Sequence, residues 1–369
     1  MLKFSLSRDA LLKPLQGLAS IAEKKHTITI LNSILFILEE GKLRLKASDL
    51  ETEIVSYIPL EKWSGNGSIA IPAKKLNDII RNLPDGSVVD ISEETNSRVL
   101  ISCNYSKFKM AILNASTFPS MNEDTGRAMF KLSFTQLNLA IKRVKFAMAN
   151  NDVRYFLNGM LWEVNNNRFQ TVATDGHRMA RTEVFIENTF LDVMQIIVPR
   201  KAVIELERTL TAPDDTEIEV QIGKNYFRVI LPEFQFTSKL IEGRFPDYTR
   251  VIAPDNTKLL VANRLALKQA LIRTAILSNE TYRGVRLDLQ DNSLVLSANN
   301  PEHEEAQDQM EVKYNDESME IGFNVNYLLD IVNVLDTENI DFYFDSPQMN
   351  LLIKDNDSFS TYVVSPIKL

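Results

Sequence analysis

An α+β protein made of three tandem copies of one unit is the fold that this sequence predicts, and three observations carry it. The order strand, amphipathic helix, paired strands recurs three times. A pair led by Asp or Asn follows the second strand of each pair, at Asp49-Leu50, Asp175-Gly176 and Asn299-Asn300, a period of about 125 residues. Each copy also repeats its own plan in its second half. Self-similarity at a fixed period is a fold-level signal that outranks any single segment.

The opening segments are FSLSRDALLKPLQGLASIA from Phe4, FKLSFTQLNLAIKRVKFAMA from Phe130 and LLVANRLALKQALIRTAIL from Leu259. In the first, Leu11, Leu12, Leu15, Leu18, Ala19 and Ala22 recur at helical spacing and mark one apolar face. Ser7 and Asn263 stand where side-chain oxygens cap the first and third of these helices. Pro14 lies inside the first, where a missing N–H and a bulky ring predict a kink. Paired strands follow in each copy, ILFILEEGKLRLKASDLETEI, GMLWEVNNNRFQTVATDGHRMARTEV and GVRLDLQDNSLVLSANNPEHEEAQ. Their alternation suits antiparallel sheets with one face on a core. The second halves open with SIAIPAKKLNDIIRNL, QIIVPRKAVIELERTL and MEIGFNVNYLLDIVNVL, again strand then helix, and continue as alternating strands. Each copy thus reads as two β-α-β-β-β halves, with sheets outside and two helices packed against them. The domains are expected at 1–126, 127–252 and 253–369.

Hydrophobic residues make up 44% and charged residues 24% of the 369, an ordinary globular balance. One cysteine, Cys103, excludes an internal disulfide framework and suits a reducing compartment. Lys3, Arg8, Asp9 and Lys13 interrupt the apolar stretch that a signal peptide needs. No run reaches the ~18 apolar residues of a membrane span. The expectation is a soluble, cytoplasmic protein with no membrane contact. The net charge is −8, which argues against phosphate binding until its distribution is considered. The six helical segments together carry +9 and the remainder −17. Lys24, Lys25, Lys74, Lys75, Arg81, Lys142, Arg143, Lys145, Arg200, Lys201, Lys268 and Arg273 supply the helical cations. Asp330 and Asp336 make the sixth helix an exception. Segregated charge of this kind suits a surface that holds a polyanion on one side and repels it elsewhere. Head-to-tail contacts between terminal copies either close into rings or run on as filaments.

Several stretches carry a resemblance to a known family. They are DVRYFLNGM (152–160), TVATDGHRMA (171–180), IIVPRKAVIEL (196–206), FTSKLIEGRFPDY (236–248), RGVRL (283–287), MEIGFNVNYLLD (319–330) and YVVSPIKL (362–369). In this order, across nearly the whole chain, they resemble the beta subunit of bacterial DNA polymerase III, the sliding clamp. The resemblance implies three DNA-clamp domains, each with outer antiparallel sheets and two inner helices, and a six-domain ring formed by a head-to-tail homodimer. It implies a processivity factor for DNA replication that encircles duplex DNA without reading sequence. Its implied partners are the DNA polymerase III alpha subunit, the clamp-loader delta subunit and other clamp-motif proteins. No cofactor and no metal are implied.

The resemblance also assigns sites. A partner-peptide pocket falls on Leu157, Thr174, Gly176, His177, Arg178, Met179, Pro246, Arg250, Val251, Val363, Val364, Ser365, Pro366 and Ile367. An apolar groove with a polar rim suits one or two anchoring side chains of a linear peptide. Ser365 and Lys368 depart from residues found in relatives and bear on peptide preference. DNA contacts fall on Lys25, Lys74, Asn151, Arg154, Tyr155, Phe156 and Lys201, where cations hold phosphates and rings stack. The dimer seam falls on Phe108 and Met110 at one end and Ile276 and Leu277 at the other, with Lys107 and Lys109 opposite Glu302, Glu304 and Glu305. A competing reading makes TDGH an enzyme site, with Asp175 orienting His177 as a general base. No nucleophile or metal cluster accompanies it, and the equivalent turns lack histidine, so a non-catalytic protein is expected. A scaffold that binds peptides without DNA is the third reading.

Overall fold

The structure, a computed structural model, describes residues 1–22, 28–121, 128–252, 257–355 and 359–368, and their side chains except at 188–192. The chain forms two compact units, Met1–Phe134 with Arg208–Leu240 and Thr135–Glu207 with Ile241–Leu369.

In the first unit, a five-stranded antiparallel sheet runs in the order Lys62–Ser64, Lys3–Ser7, Val88–Glu94, Arg98–Cys103, Ser106–Ala111. An eight-stranded sheet runs Ala128–Ser133, Glu217–Ile222, Tyr226–Leu231, Phe234–Lys239, Thr52–Pro59, Lys42–Ser48, Ser33–Glu39, Gly67–Pro72. Helices α1 (Arg8–Ala22) and α2 (Ala73–Arg81) pack on each other, and α1 lies against the eight-stranded sheet. Leu11, Leu15, Leu18, Ala19 and Ala22 are buried, as the spacing predicts. Ser7 accepts from the Ala10 N–H at 3.2 Å, capping α1. The helix continues through Pro14 as one element.

In the second unit, a six-stranded sheet runs Gly159–Thr174, Arg178–Pro199, Ser360–Val364, Leu351–Asp355, Asn339–Phe344, Lys258–Asn263. A four-stranded sheet runs Glu305–Glu311, Ser293–Asn299, Gly284–Gln290, Met319–Asn324. The remaining helices are α3 (Phe134–Lys142), α4 (Arg200–Thr209), α5 (Arg264–Ala275) and α6 (Val325–Val334). Asn263 caps α5 by accepting from the Ala266 N–H at 3.0 Å.

The register shows the threefold repeat. Ahead of α2, α4 and α6 the pairs Ser33 with Pro72, Gly159 with Pro199 and Gly284 with Asn324 begin equivalent ladders. The opening strands pair alike, Lys3 with Ser92, Ala128 with Ile222 and Lys258 with Phe344. Gly159 occupies a position where a Cβ would lie 2.6 Å from the Val198 carbonyl oxygen, too close for any other residue. The fold is therefore α+β, with three tandem copies of one domain.

Candidate peptide groove and nucleic-acid interface

The turn after Thr174 organises the second unit's candidate residues. The Asp175 carboxylate accepts from the backbone N–H of His177 and Arg178, at 2.9 and 3.0 Å, and from Arg178 Nε at 3.0 Å. Such an aspartate turn is a local alternative to backbone pairing. Asp49 does the same in the first copy, accepting from the N–H of Glu51 and Thr52 at 3.0 and 2.7 Å. Asp175 is thus engaged by the turn's own backbone and Arg178, an arrangement repeated where no histidine follows. Gly176 holds φ +91°, and a Cβ there would stand 2.9 Å from Arg154 Nη2.

Arg178 ties this turn to α6. It pairs with Asp330, donates to the Phe146 carbonyl at 2.7 Å and lies over the Tyr327 ring, 4.4 Å from its centroid. Burial is the main cause of a raised Tyr327 phenol pKa, with Asp175 adding to it.

Met179, one residue on, turns to the opposite sheet face and pairs with Val363. Register places Val172, Leu161, Ile197 and Leu352 in the same apolar cluster, closed by Phe245. Phe156, Ile241, Tyr248, Ile252 and Tyr343 pack against it, only partly buried. Apart from Phe156, which the sequence reading assigned to DNA, these neighbours of the candidate groove were missed by sequence reasoning. The signal was present in the strand alternation, but it becomes usable only once the pairing partner is known. Val251 and Arg250 are exposed, with Arg250 held by Asp247 at 2.9 Å, and His177 and Pro246 are exposed too. Thr174 is half-buried, its hydroxyl donating to the Arg178 carbonyl at 2.7 Å. Leu157 is buried. Val364 is buried on the other strand face from Val363 and has no place in the cluster. The C-terminal segment is held by backbone bonds from Ser365 N to the His177 carbonyl, 2.9 Å, and Ile367 N to the Gly322 carbonyl, 2.8 Å; Pro366 lies half-buried between them.

The first unit offers an equivalent strand junction with different chemistry. Counting from Asp49 as from Asp175, Glu53 stands where Met179 stands, and its partner Thr237 stands where Val363 stands. Glu53 is buried and paired with Lys46 at 2.7 Å. One junction is apolar and the other is filled by an ion pair.

The candidate DNA contacts are spread over both units. Lys25, with Lys24, lies outside the described residues. Lys74 is exposed on α2. In the second unit, Asp152 accepts from Arg154 through backbone and guanidinium, which lowers its carboxyl pKa to about 2. The Asn158 carboxamide clasps the Asp152 backbone from both sides, at 2.8 and 2.9 Å. This clasp leaves Tyr155 58% exposed while Phe156, edge-on to it at 5.7 Å, packs on the groove cluster. Asn151, at φ +59°, and Lys201 border a cleft of about 430 Å³ that Arg200 also lines.

Not every helical cation is on a surface. Arg143 is only 5% exposed and pairs with the buried Asp355 at 3.0 Å and with Asp336 at 3.3 Å. It is a structural ion pair, contrary to its place among the surface cations expected from the sequence. Lys145 is likewise paired with Glu207 and Arg273 with Asp308. The acidic exception has the same origin, because Asp330 of α6 and Asp336 just beyond its end answer Arg178 and Arg143.

The expected seam residues lie at sheet edges. Phe108 and Met110 sit on the edge strand Ser106–Ala111 of the five-stranded sheet, Met110 buried and Phe108 half-buried, with Lys107 exposed. Lys109 pairs with Glu94 of its own sheet at 3.2 Å. In the second unit, Ile276 is 73% exposed at the end of α5, with Leu277 half-buried beside it. Glu305 starts the edge strand Glu305–Glu311, with Glu302 and Glu304 exposed just before it.

Residues 2–122, 131–247 and 249–368 match the N-terminal, central and C-terminal domains of the DNA polymerase III beta subunit family. The beta sliding clamp of Pseudomonas aeruginosa is 44% identical over 368 residues, covering 99% of this chain and all of the relative. That of Escherichia coli K12 is 42% identical over 369 residues, with both chains fully covered. A crystal structure of the Pseudomonas aeruginosa sliding clamp bound to griselimycin superposes with a TM-score of 0.96 at 43% identity, again covering both chains fully. With all three domains matched in order, the chain belongs to the DNA polymerase III beta subunit family, the bacterial sliding clamps.

Proposed function

We propose that the protein is a non-catalytic processivity clamp of the cytoplasm, two copies of which close head to tail around duplex DNA and tether the replicative polymerase. The apolar cluster around Met179 and Val363 carries this reading, because partly buried rings and an exposed rim flank it. A linear peptide with one or two large apolar side chains would bury them there, as hot-spot anchors do. The polymerase alpha subunit and the clamp-loader delta subunit are the partners assigned to it, in mutually exclusive turns. Griselimycin, bound by the Pseudomonas aeruginosa relative, is assigned to the same groove. Lys74, Arg154, Tyr155 and Lys201, with Lys25, Asn151 and Phe156, are assigned to DNA. Cations that meet phosphates without reading bases leave the duplex free to slide. Phe108, Met110 and Lys107 meet Ile276, Leu277, Glu302 and Glu304 of a second copy. Edge strands with unpaired backbone groups suit such a closure. The domains fall at 1–126, 127–252 and 253–369.

The test is removal of residues 365–369. Within them, Ser365 and Ile367 are held by backbone bonds to the carbonyls of His177 and Gly322. The truncated protein is expected to remain a dimer by sedimentation and to lose binding of both griselimycin and the alpha subunit. Full-strength binding by the truncated dimer sinks the groove assignment.

A further inference from the structure

A cavity of about 400 Å³ opens wholly within the first unit, where Thr52–Pro59 pairs with Phe234–Lys239 and α1 crosses the sheet. It shares no residue with the groove around Met179. We propose that it is a second anchoring site, taking the indole or phenol side chain of an extended peptide segment from a partner protein.

Three features define the occupant. The walls are apolar, with Ile54, Ile58, Pro14 and Phe234 among them, and the volume falls in the range of about 300–1,000 Å³ typical of ligand pockets. Second, the cavity lining includes one hydroxyl without a partner. Ser56, between the two isoleucines, is 5% exposed, and its hydroxyl has no hydrogen-bond partner among the described residues. A donor that reaches this hydroxyl gains a hydrogen bond that no described residue of the chain supplies. A flat apolar ring with one donor at its tip fits both requirements, and indole N–H and phenol O–H are the side-chain groups that combine them.

Third, the rim is charged with both signs. Asp9 is taken by Arg8 at 2.9 Å and by the Gly86 N–H at 3.2 Å. Lys13 and Glu233 are exposed, and neither has an ion-pair partner among the described residues. A free aromatic molecule filling the cavity would leave both charges unused. A peptide carrying an acid on one side of the ring and a base on the other would meet both, and this favours a peptide over a small molecule.

The experiment uses the full-length protein with 13C-labelled isoleucine δ1 methyls. The probes are the capped tripeptides Asp-Trp-Lys and Lys-Trp-Asp, an Asp-Ala-Lys control, and N-acetyltryptophanamide. The Ile54 and Ile58 methyls are expected to shift saturably with the tryptophan tripeptides and not with the alanine control. One charge order is expected to bind better, and the double substitution Lys13→Glu with Glu233→Lys to invert that preference. Ser56→Ala, which removes only the hydroxyl, is expected to weaken binding about fivefold, the loss of one hydrogen bond, with thermal midpoint as the check on folding. Gly17→Leu is a second variant, since a Cβ there points at Thr209, 3.4 Å from its Cγ2, and the added bulk should abolish the shifts. No saturable shift in the native protein overturns the proposal. So does a charge preference that the double substitution leaves in place. Equal affinity for N-acetyltryptophanamide and both tripeptides overturns the peptide and leaves a small aromatic as the ligand.

Discussion

Tyr362 illustrates what a single buried group does to this protein. Its ring is fully buried beside Phe146, and loss of solvent raises its phenol pKa to about 12 from an ordinary value near 10. The folded-state value is raised, so the contribution to stability is intact below pH ~10, where the unfolded phenol begins to ionise. It is lost as pH climbs through that of the folded group. Two pKa units correspond to roughly 2–3 kcal/mol, so alkaline unfolding is expected to steepen between about pH 10 and 12. Tyr362→Phe should flatten that limb in urea titrations run at successive pH values. An unchanged limb would place the alkaline sensitivity elsewhere. The sequence gives no hint of this, since a tyrosine in YVVSPIKL has the same letters whether its hydroxyl is wet or dry.

Between elements, the ion pair of Arg143 with Asp355 joins the residue just after α3 to the end of strand Leu351–Asp355. Removing one member leaves the other charge buried and unanswered. Arg143→Ala is therefore expected to cost about 3–5 kcal/mol, whereas Arg143→Met with Asp355→Leu should cost far less. Chemical denaturation of the two variants compares them directly, and equal losses would show that the pair is not the cause. This level also marks how much could be read in advance. The caps Ser7 and Asn263, the six helices and the alternating strands follow from neighbours within a few residues, and they were legible. Arg143 and Asp355 are 212 residues apart, so the charge count placed Arg143 on a surface and left Asp336 unexplained. The candidate groove was half legible for the same reason. Met179 and Val363 came from family resemblance, while Leu161, Val172 and Leu352 needed the register that strand pairing alone supplies.

For the whole molecule, the proposed assembly makes a clear demand on Ile276 and Leu277. A side chain 73% exposed at a helix end costs the monomer little to change, yet a charge there would be desolvated in a seam. Ile276→Asp with Leu277→Asp is expected to yield folded monomers by sedimentation with an unaltered thermal baseline. A persistent dimer would remove this seam from consideration. The two strand junctions carry a further consequence. Because Glu53 and Lys46 occupy in one junction the place that is apolar in the other, the proposed function leaves one of these two junctions in each chain for a given clamp-binding motif. Two proteins bearing that motif exclude each other on one chain, so the occupant at any moment is set by relative abundance and residence time. In the proposed assembly of two chains the neighbouring chain offers the same site again, so exchange would proceed by handover from one chain to the other.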